Sequence, residues 1–275
     1  KDMFNITRSS EQINGNGGLA LVGLIFRDLS LDEQLNNVRI RGVQKEPEIS
    51  NADVVRSYCG LLVMGKTAYE DIEAFRHNKF FRKALEINNV PSAATLRQRF
   101  EAAEGRFDNV LRRLNVELLK RCEINPVDAE KGKYMPLDMD VSPMDNANTE
   151  KEYVSRTYKG TDGYAPNLTY IGVEGYMIEA ELRPGRQHSQ KGTPQSLKEI
   201  LDFVDELNLP YATLVRLDSG YDAGDTINVL EGRVRYLVKR NLRNETLESW
   251  LALAKENGTC RIEREGKAVY TGDTY

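Results

Sequence analysis

The chain has 275 residues, 40% hydrophobic and 29% charged, with a formal net charge of −4 at pH 7. That length can bury a sizeable core and hold two or more domains, and the balance is that of a soluble globular protein. No apolar run approaches the roughly 18–20 residues of a membrane span and no basic-then-apolar leader opens the sequence, so a membrane protein is not expected.

Near the start, Asn14-Gly15-Asn16-Gly17-Gly18 marks a turn, and the apolar run Leu19–Phe26 reads as a buried helix. From about Ser50 to Cys122 the pattern is helical. Val54, Val55, Tyr58, Leu61, Leu62 and Met64 recur at helical spacing, and Leu111, Leu114, Leu118 and Cys122 form a stripe. Asn89-Val90-Pro91-Ser92 reads as a turn, with Ser92 capping a helix over Ala93–Glu104. Arg97, Gln98 and Arg99 lie on that helix, which suits either a helix-turn-helix reader of DNA or ordinary bundle packing. Charge adds to the first reading, because Arg76–Arg121 holds 11 Lys and Arg against 5 Asp and Glu. A local positive potential, rather than the net charge, governs phosphate binding.

Pro126–Lys133 reads as a linker, after which the periodicity changes. Tyr134–Val141, Leu168–Val173 and Tyr176–Leu182 alternate as strands, the last two flanking a turn at Glu174-Gly175. Thr193-Pro194 opens an amphipathic helix carrying Leu197, Ile200, Leu201, Val204 and Leu207. A strand Ala212–Leu217, a helix through about Leu230 and a strand Val234–Val238 follow. Three strands, helix, strand, helix, strand is the order of the α/β ribonuclease-H-like mixed sheet, here behind an N-terminal all-α region. Beyond Asn241, a helix Glu245–Asn257 and a hairpin Cys260–Arg264 with Ala268–Tyr270 follow. The expected divisions are 1–125 helical, 134–240 the mixed sheet, and 241–275.

Two acidic segments stand where strands give way to loops: Leu137-Asp138-Met139-Asp140-Val141-Ser142 and Val215-Arg216-Leu217-Asp218-Ser219-Gly220. Strand alternation puts Asp138 and Asp140 on one face and Leu137, Met139 and Val141 on the other. If the two strands are neighbours, the carboxylates converge on a hard divalent cation, as metal-assisted phosphodiester chemistry requires. Arg156, Tyr158 and Lys159 could meet phosphates and stack on a base, or simply pack. Arg183, Arg186, Gln187, His188 and Lys191 follow the third strand and could stabilise charge near such a site. Asp222 and Asp225 read as helix caps. Cys59, Cys122 and Cys260 are odd in number and lack metal-ligand spacing, which fits thiols in a reducing cytoplasm.

Four stretches in order, Asp138–Asn146, Val154–Pro166, Glu181–Pro194 and Val215–Asp222, resemble the DDE transposases of bacterial insertion sequences. Thr7–Ala20 resembles the opening of the thirteen-eighty subgroup in particular. The resemblance implies a cut-and-paste enzyme that binds the inverted repeats of its element as a homodimer on double-stranded DNA, in a bacterial cytoplasm. It further implies two Mg2+ (or Mn2+) ions held by two Asp and one Glu. Asp218 matches the second Asp; Asp140 matches the first, with Asp138 as the alternative. DNA contacts fall to Arg97, Gln98, Arg99, Arg156, Lys159, Arg183, Arg186, His188 and Lys191. The family's Glu lies on a helix beyond a β-rich insertion, so the resemblance implies a DNA-binding region at 1–125, a catalytic core at 134–240 and the start of that insertion at 241–275. Here the chain ends 57 residues past Asp218, and Glu245, Glu248 and Glu256 come too early. The expectation is therefore a shortened or degenerate copy, with a DNA-binding inhibitor or a host nuclease of the same fold as the other readings.

Overall fold

A computed structural model describes residues 15–129 and 132–272. Thr7–Asn14 of the opening motif, and Asn14 of the expected first turn, lie outside the described residues. The chain divides after Glu123 into two compact units.

The first unit is helical: α1 (Leu19–Asp28), α2 (Leu31–Asn36), α3 (Asn51–Val63), a 3-10 stretch (Tyr69–Phe75), α4 (Lys79–Ala84), α5 (Ala93–Ala103) and α6 (Asp108–Leu119). Two apolar clusters hold it together, one around Val54, Leu61, Ile72, Phe81 and Leu96, the other around Leu35, Val55, Phe107 and Leu114. The run Leu19–Phe26 is one-sided rather than buried throughout. Leu19 and Gly23 face inward while Leu21, Leu24 and Ile25 are exposed. Gly23 is where α1 meets α4 backbone to backbone, since a Cβ there would stand 1.9 Å from the Ala84 carbonyl oxygen.

Helix α3 also buries polar side chains, and two of them, Arg56 and Asp53, tie it to neighbouring segments. Arg56 donates to Asp32 Oδ1 at 2.6 Å and to the Leu85 carbonyl at 2.6 Å. Asp53 accepts the backbone N–H groups of Asn88 (3.0 Å) and Asn89 (3.4 Å), which fixes the turn before α5. Ser92 then caps α5 by accepting Thr95 N–H at 3.1 Å. On α5 the structure corrects one expectation. Arg99 is buried, donating to Asn51 Oδ1 at 2.7 Å and the Ile49 carbonyl at 3.0 Å, so it braces the bundle and cannot meet phosphate. Arg97 and Gln98 are exposed, with Arg97 bridged to Glu70 and lying over the Tyr69 ring.

The second unit contains β1 (Val127–Ala129), β2 (Gly132–Val141), β3 (Met144–Asp145), β4 (Ser155–Arg156), β5 (Asp162–Tyr164), β6 (Asn167–Ile171), β7 (Tyr176–Glu181) and α7 (Thr193–Leu207). It continues with β8 (Thr213–Leu217), α8 (Gly224–Leu230), β9 (Arg235–Val238), α9 (Leu247–Asn257), β10 (Thr259–Arg264) and β11 (Lys267–Thr271). The main sheet runs β7-β6-β2-β8-β9. Strand β6 is antiparallel to both neighbours, whereas β2, β8 and β9 are parallel to one another. Parallel neighbours need crossover connections, which α7 and α8 supply. One sheet face buries Leu137, Met139, Val141, Val215, Leu217 and Ile171, and α7 buries Leu197, Ile200, Leu201, Val204 and Leu207.

The expected linker is partly a strand. Val127–Ala129 pairs antiparallel with the start of β2, which extends that strand to Gly132. Short strands β3, β5 and β4 make a small separate sheet that alternation did not reveal. Helix α9 buries no residue, so its apolar stripe is not a core stripe. Asp222 does not cap α8. It accepts Arg240 Nη1 at 3.1 Å and Asn241 N–H at 2.8 Å, and so fastens the segment after β9. Among the described residues no helix is long and apolar enough to cross a membrane.

Candidate active site

Strand β2 presents Asp138 and Asp140 on the face opposite its buried Leu137, Met139 and Val141. Its parallel ladder with β8 aligns Leu137 with Val215, Asp138 with Arg216 and Met139 with Leu217. One step beyond that last pair, the register sets Asp140 abreast of Asp218. Neighbouring strands lie about 4.8 Å apart, and Asp218 keeps an extended backbone (φ −79°, ψ 178°) before the chain turns. The turn follows from Asp218 itself, whose Oδ1 accepts Gly220 N–H at 2.9 Å.

Asp138 has a different role. Arg216 holds it bidentately, Nε to Oδ1 and Nη2 to Oδ2, both at 2.5 Å. A carboxylate engaged at both oxygens by a guanidinium is poorly placed to ligate a cation. Of the two Asp on β2, geometry therefore favours Asp140 for the paired site. Asp140 shows the signs of that pairing. Partial burial raises its pKa first and the charge of Asp218 raises it next, while the Val141 N–H and Lys159 draw it down.

These two carboxylates line a cavity of about 470 Å3 with Arg156, Tyr158, Arg186, Gln187, His188, Ser189 and Ser219. The rest of the lining comes from the end of β4, the turn after it and the loop after β7, and that loop lies against the small sheet β3-β5-β4. The loop can press against that sheet because residue 185 is Gly. A Cβ there would lie 2.1 Å from the Ser155 carbonyl oxygen and 2.4 Å from that of Gly163. Arg186 N–H donates to Ser155 Oγ at 3.0 Å, and Tyr164 bridges to Pro184.

Several of the residues expected to contact DNA gather here. Arg156, Arg186 and His188 are exposed and line the cavity, and Lys159 is near enough to act on Asp140. His188 Nδ1 accepts Gln190 N–H at 3.3 Å, which directs Nε2 away from that contact. Lys191 is exposed on the same loop but does not line the cavity. Arg183 is the second correction. It is buried, 1% exposed, and donates to Glu181 Oε2 (2.6 Å), the Ser189 carbonyl (3.1 Å) and Thr193 Oγ1 (3.3 Å). Its charge holds the loop in place rather than facing DNA. Arg97, Gln98 and Arg99 belong to the first unit. Thr157, Gly185, Ser189 and Ser219 line the cavity without having been singled out in the sequence. Single polar residues in loops carry no periodic signal.

The donor set suits a hard cation, since two carboxylates at adjacent strand ends repel each other and a divalent ion relieves that repulsion. Among the described residues no cluster of three or more His, Cys, Asp or Glu completes a metal site. A larger cavity, about 640 Å3, opens at the other end of β8 and β9. Its Arg233 is already bridged to Asp202 and Asp205, and it contains no carboxylate pair of this kind.

The family described as transposase DDE domain group 1 matches residues 4–274, and the chain belongs to it. No curated protein matches the sequence. Among solved structures, a piggyBac transposase synaptic complex with hairpin DNA aligns at a TM-score of 0.32 with 11% identity, over 96% of this chain and 53% of that one. The chain thus spans about half the length of that transposase.

Proposed function

From membership of the DDE transposase family we infer that this chain carries two of the carboxylates of a metal-dependent DNA strand-cleavage and strand-transfer site, Asp140 and Asp218. The observation that carries the reading is that they line one cavity with Arg156 and Arg186, where parallel β2 and β8 end. The strand order β7-β6-β2-β8-β9 supports a ribonuclease-H-like core, with Asp140 on its first strand and Asp218 on its fourth. The motifs quoted above support the thirteen-eighty subgroup of bacterial insertion sequences, acting in the cytoplasm as a homodimer on element ends and target DNA.

Mg2+ or Mn2+ bound at this pair would activate an attacking water or 3′-hydroxyl and stabilise the leaving oxygen. The protein's own share is positional. Asp140 and Asp218 supply hard oxygen donors, while Arg156, Lys159 and Arg186 attract the phosphodiester and offset its charge. The Asp138–Arg216 bridge fixes β8 against β2, and with it the spacing of the pair. Arg183 keeps the loop bearing Arg186 and His188 in place.

The test is calorimetric titration of Mn2+ into the chain and its variants. Asp140→Asn and Asp218→Asn should each lose saturable binding, while Asp138→Asn retains it. Unchanged Mn2+ affinity in Asp218→Asn would sink the assignment. A second reading, a DNA-binding unit that does not cut, draws on the two-carboxylate cavity with no third ligand among the described residues. Mn2+ and DNA binding without nicking of supercoiled plasmid would favour it.

A further inference from the structure

The turn from β4 to β5 is built to hold one exposed aromatic ring over the cavity. Gly160 N–H donates to the Thr157 carbonyl at 3.0 Å, and Gly160 adopts φ +82°, closing a tight turn whose two central residues are Tyr158 and Lys159. Thr157, buried beneath, ties the turn twice to the Thr161 carbonyl, through its N–H at 2.8 Å and its Oγ1 at 2.9 Å. The tip is therefore braced from below.

Tyr158 gains nothing for folding from this placement. Its side chain is 71% exposed, and among the described residues its one ring contact is the Lys159 ammonium, 6.0 Å from the ring centroid. Tyr164, on the next strand, shows what a structural tyrosine of this module does, with its hydroxyl donating to the Glu152 carbonyl at 3.0 Å. Yet Tyr158 lines the same cavity as Asp140, Asp218, Arg156 and Arg186. A flat, uncovered π-face thus stands beside a place prepared for a phosphodiester.

We propose that Tyr158 is a stacking platform for an unpaired nucleobase next to the phosphate held at the Asp140–Asp218 site, with Lys159 contacting the adjoining backbone. The inference rests on the reading of that site as one that processes DNA. Stacking is tolerant of base identity because every base presents a π-face. It gives the site a preference for frayed or forked DNA over an intact duplex, and it needs the ring rather than the hydroxyl.

The experiment uses the whole chain and two probes of one sequence: a paired duplex, and a forked duplex whose first unpaired base is 2-aminopurine. Fluorescence anisotropy gives affinity, and 2-aminopurine emission reports stacking. The wild type should favour the fork and quench the probe. Tyr158→Ala should bind the fork about 5- to 150-fold more weakly, stay within about twofold on the duplex, and lose the quench. Tyr158→Phe should match the wild type. Equal fork binding by Tyr158→Ala would overturn the proposal. So would damage from Tyr158→Phe as large as that from Ala, because the hydroxyl would then be the active group. The duplex arm separates the two readings. Lys159→Ala and Arg186→Ala should flatten its salt dependence whatever Tyr158 does, and failure of the wild type to bind either probe would remove the site reading itself.

Discussion

Replacing Arg183 by Met tests the claim that this cation builds the loop rather than touching DNA. The substitution keeps much of the packed volume and removes the charge-assisted bonds to Glu181, the Ser189 carbonyl and Thr193. Removing one member of a fully buried ion pair costs about 3–5 kcal/mol. Glu181 is 32% exposed and can turn to water once abandoned, and Arg183 Nε has no partner among the described residues, so a smaller loss of about 2–4 kcal/mol is expected. With a urea slope of about 2 kcal/mol/M, the midpoint of the second unit should fall by about 1–2 M. Amide hydrogen exchange at β6, β7 and α7 reports that unit, with far-UV circular dichroism covering both. Glu181→Gln should be more harmful than its exposure suggests, because it strands the buried guanidinium. The Glu181→Gln/Arg183→Met double variant should then lose less than the sum of the singles. A midpoint within about 0.3 M of wild type for Arg183→Met, or strict additivity in the cycle, would refute the buried-brace account.

Three further outcomes are expected. Gly23→Ala, which raises helix propensity by about 1 kcal/mol, should nonetheless destabilise the first unit by about 1–3 kcal/mol, because its methyl group meets the Ala84 carbonyl; a raised melting temperature would contradict the close approach of α1 and α4. Arg97→Ala should flatten the salt dependence of DNA binding while leaving the fold unchanged, whereas Arg99→Ala should lower the melting temperature, since it strips Asn51 and Ile49 of a buried donor; the reverse pattern would show α5 to be turned the other way. Burial pushes the Cys59 thiol from 9.0 up to about 11. Its neutral form is thus the one the fold favours, and the associated stability is whole below about pH 9 and lost as pH rises towards 11. At pH 8 iodoacetamide should modify exposed Cys260 long before Cys59, and equal rates would show Cys59 to be open to solvent.

The strands and helices that carry the site were legible because each has a periodic pattern long enough to count. Tyr134–Val141, Tyr176–Leu182 and the helix opening at Thr193 were placed within two residues of β2, β7 and α7. Strands β3, β4 and β5, of two or three residues, offer no period at all. They are held by backbone bonds and by the close fit at Gly185, which sequence alone does not display. The fates of arginines were the harder matter. Arg97 and Arg99 are two residues apart on one helix and so about 200° apart around its axis, and it is Arg99 that shares the inner face with Leu96 and Ala103 and finds Asn51 and the Ile49 carbonyl there. Arg216 could have been read. It precedes Asp218 by two, as Asp138 precedes Asp140, so parallel neighbours in register must set the guanidinium against the first carboxylate.

That register also governs when a site can exist. Asp138 and Arg216 are 78 residues apart in sequence, as are Asp140 and Asp218. The β6–β7 hairpin closes over a short loop, whereas the chain must cross by way of α7 for β8 to lie beside β2. Long-range parallel pairing of this kind is slow and comes late. A growing chain that has emerged only as far as α7 exposes Asp138 and Asp140 on β2 with neither Arg216 nor Asp218 beside them. Arg216 locks onto Asp138 in the same closing step that brings Asp218 abreast of Asp140, so the carboxylate pair exists only once β8 has docked.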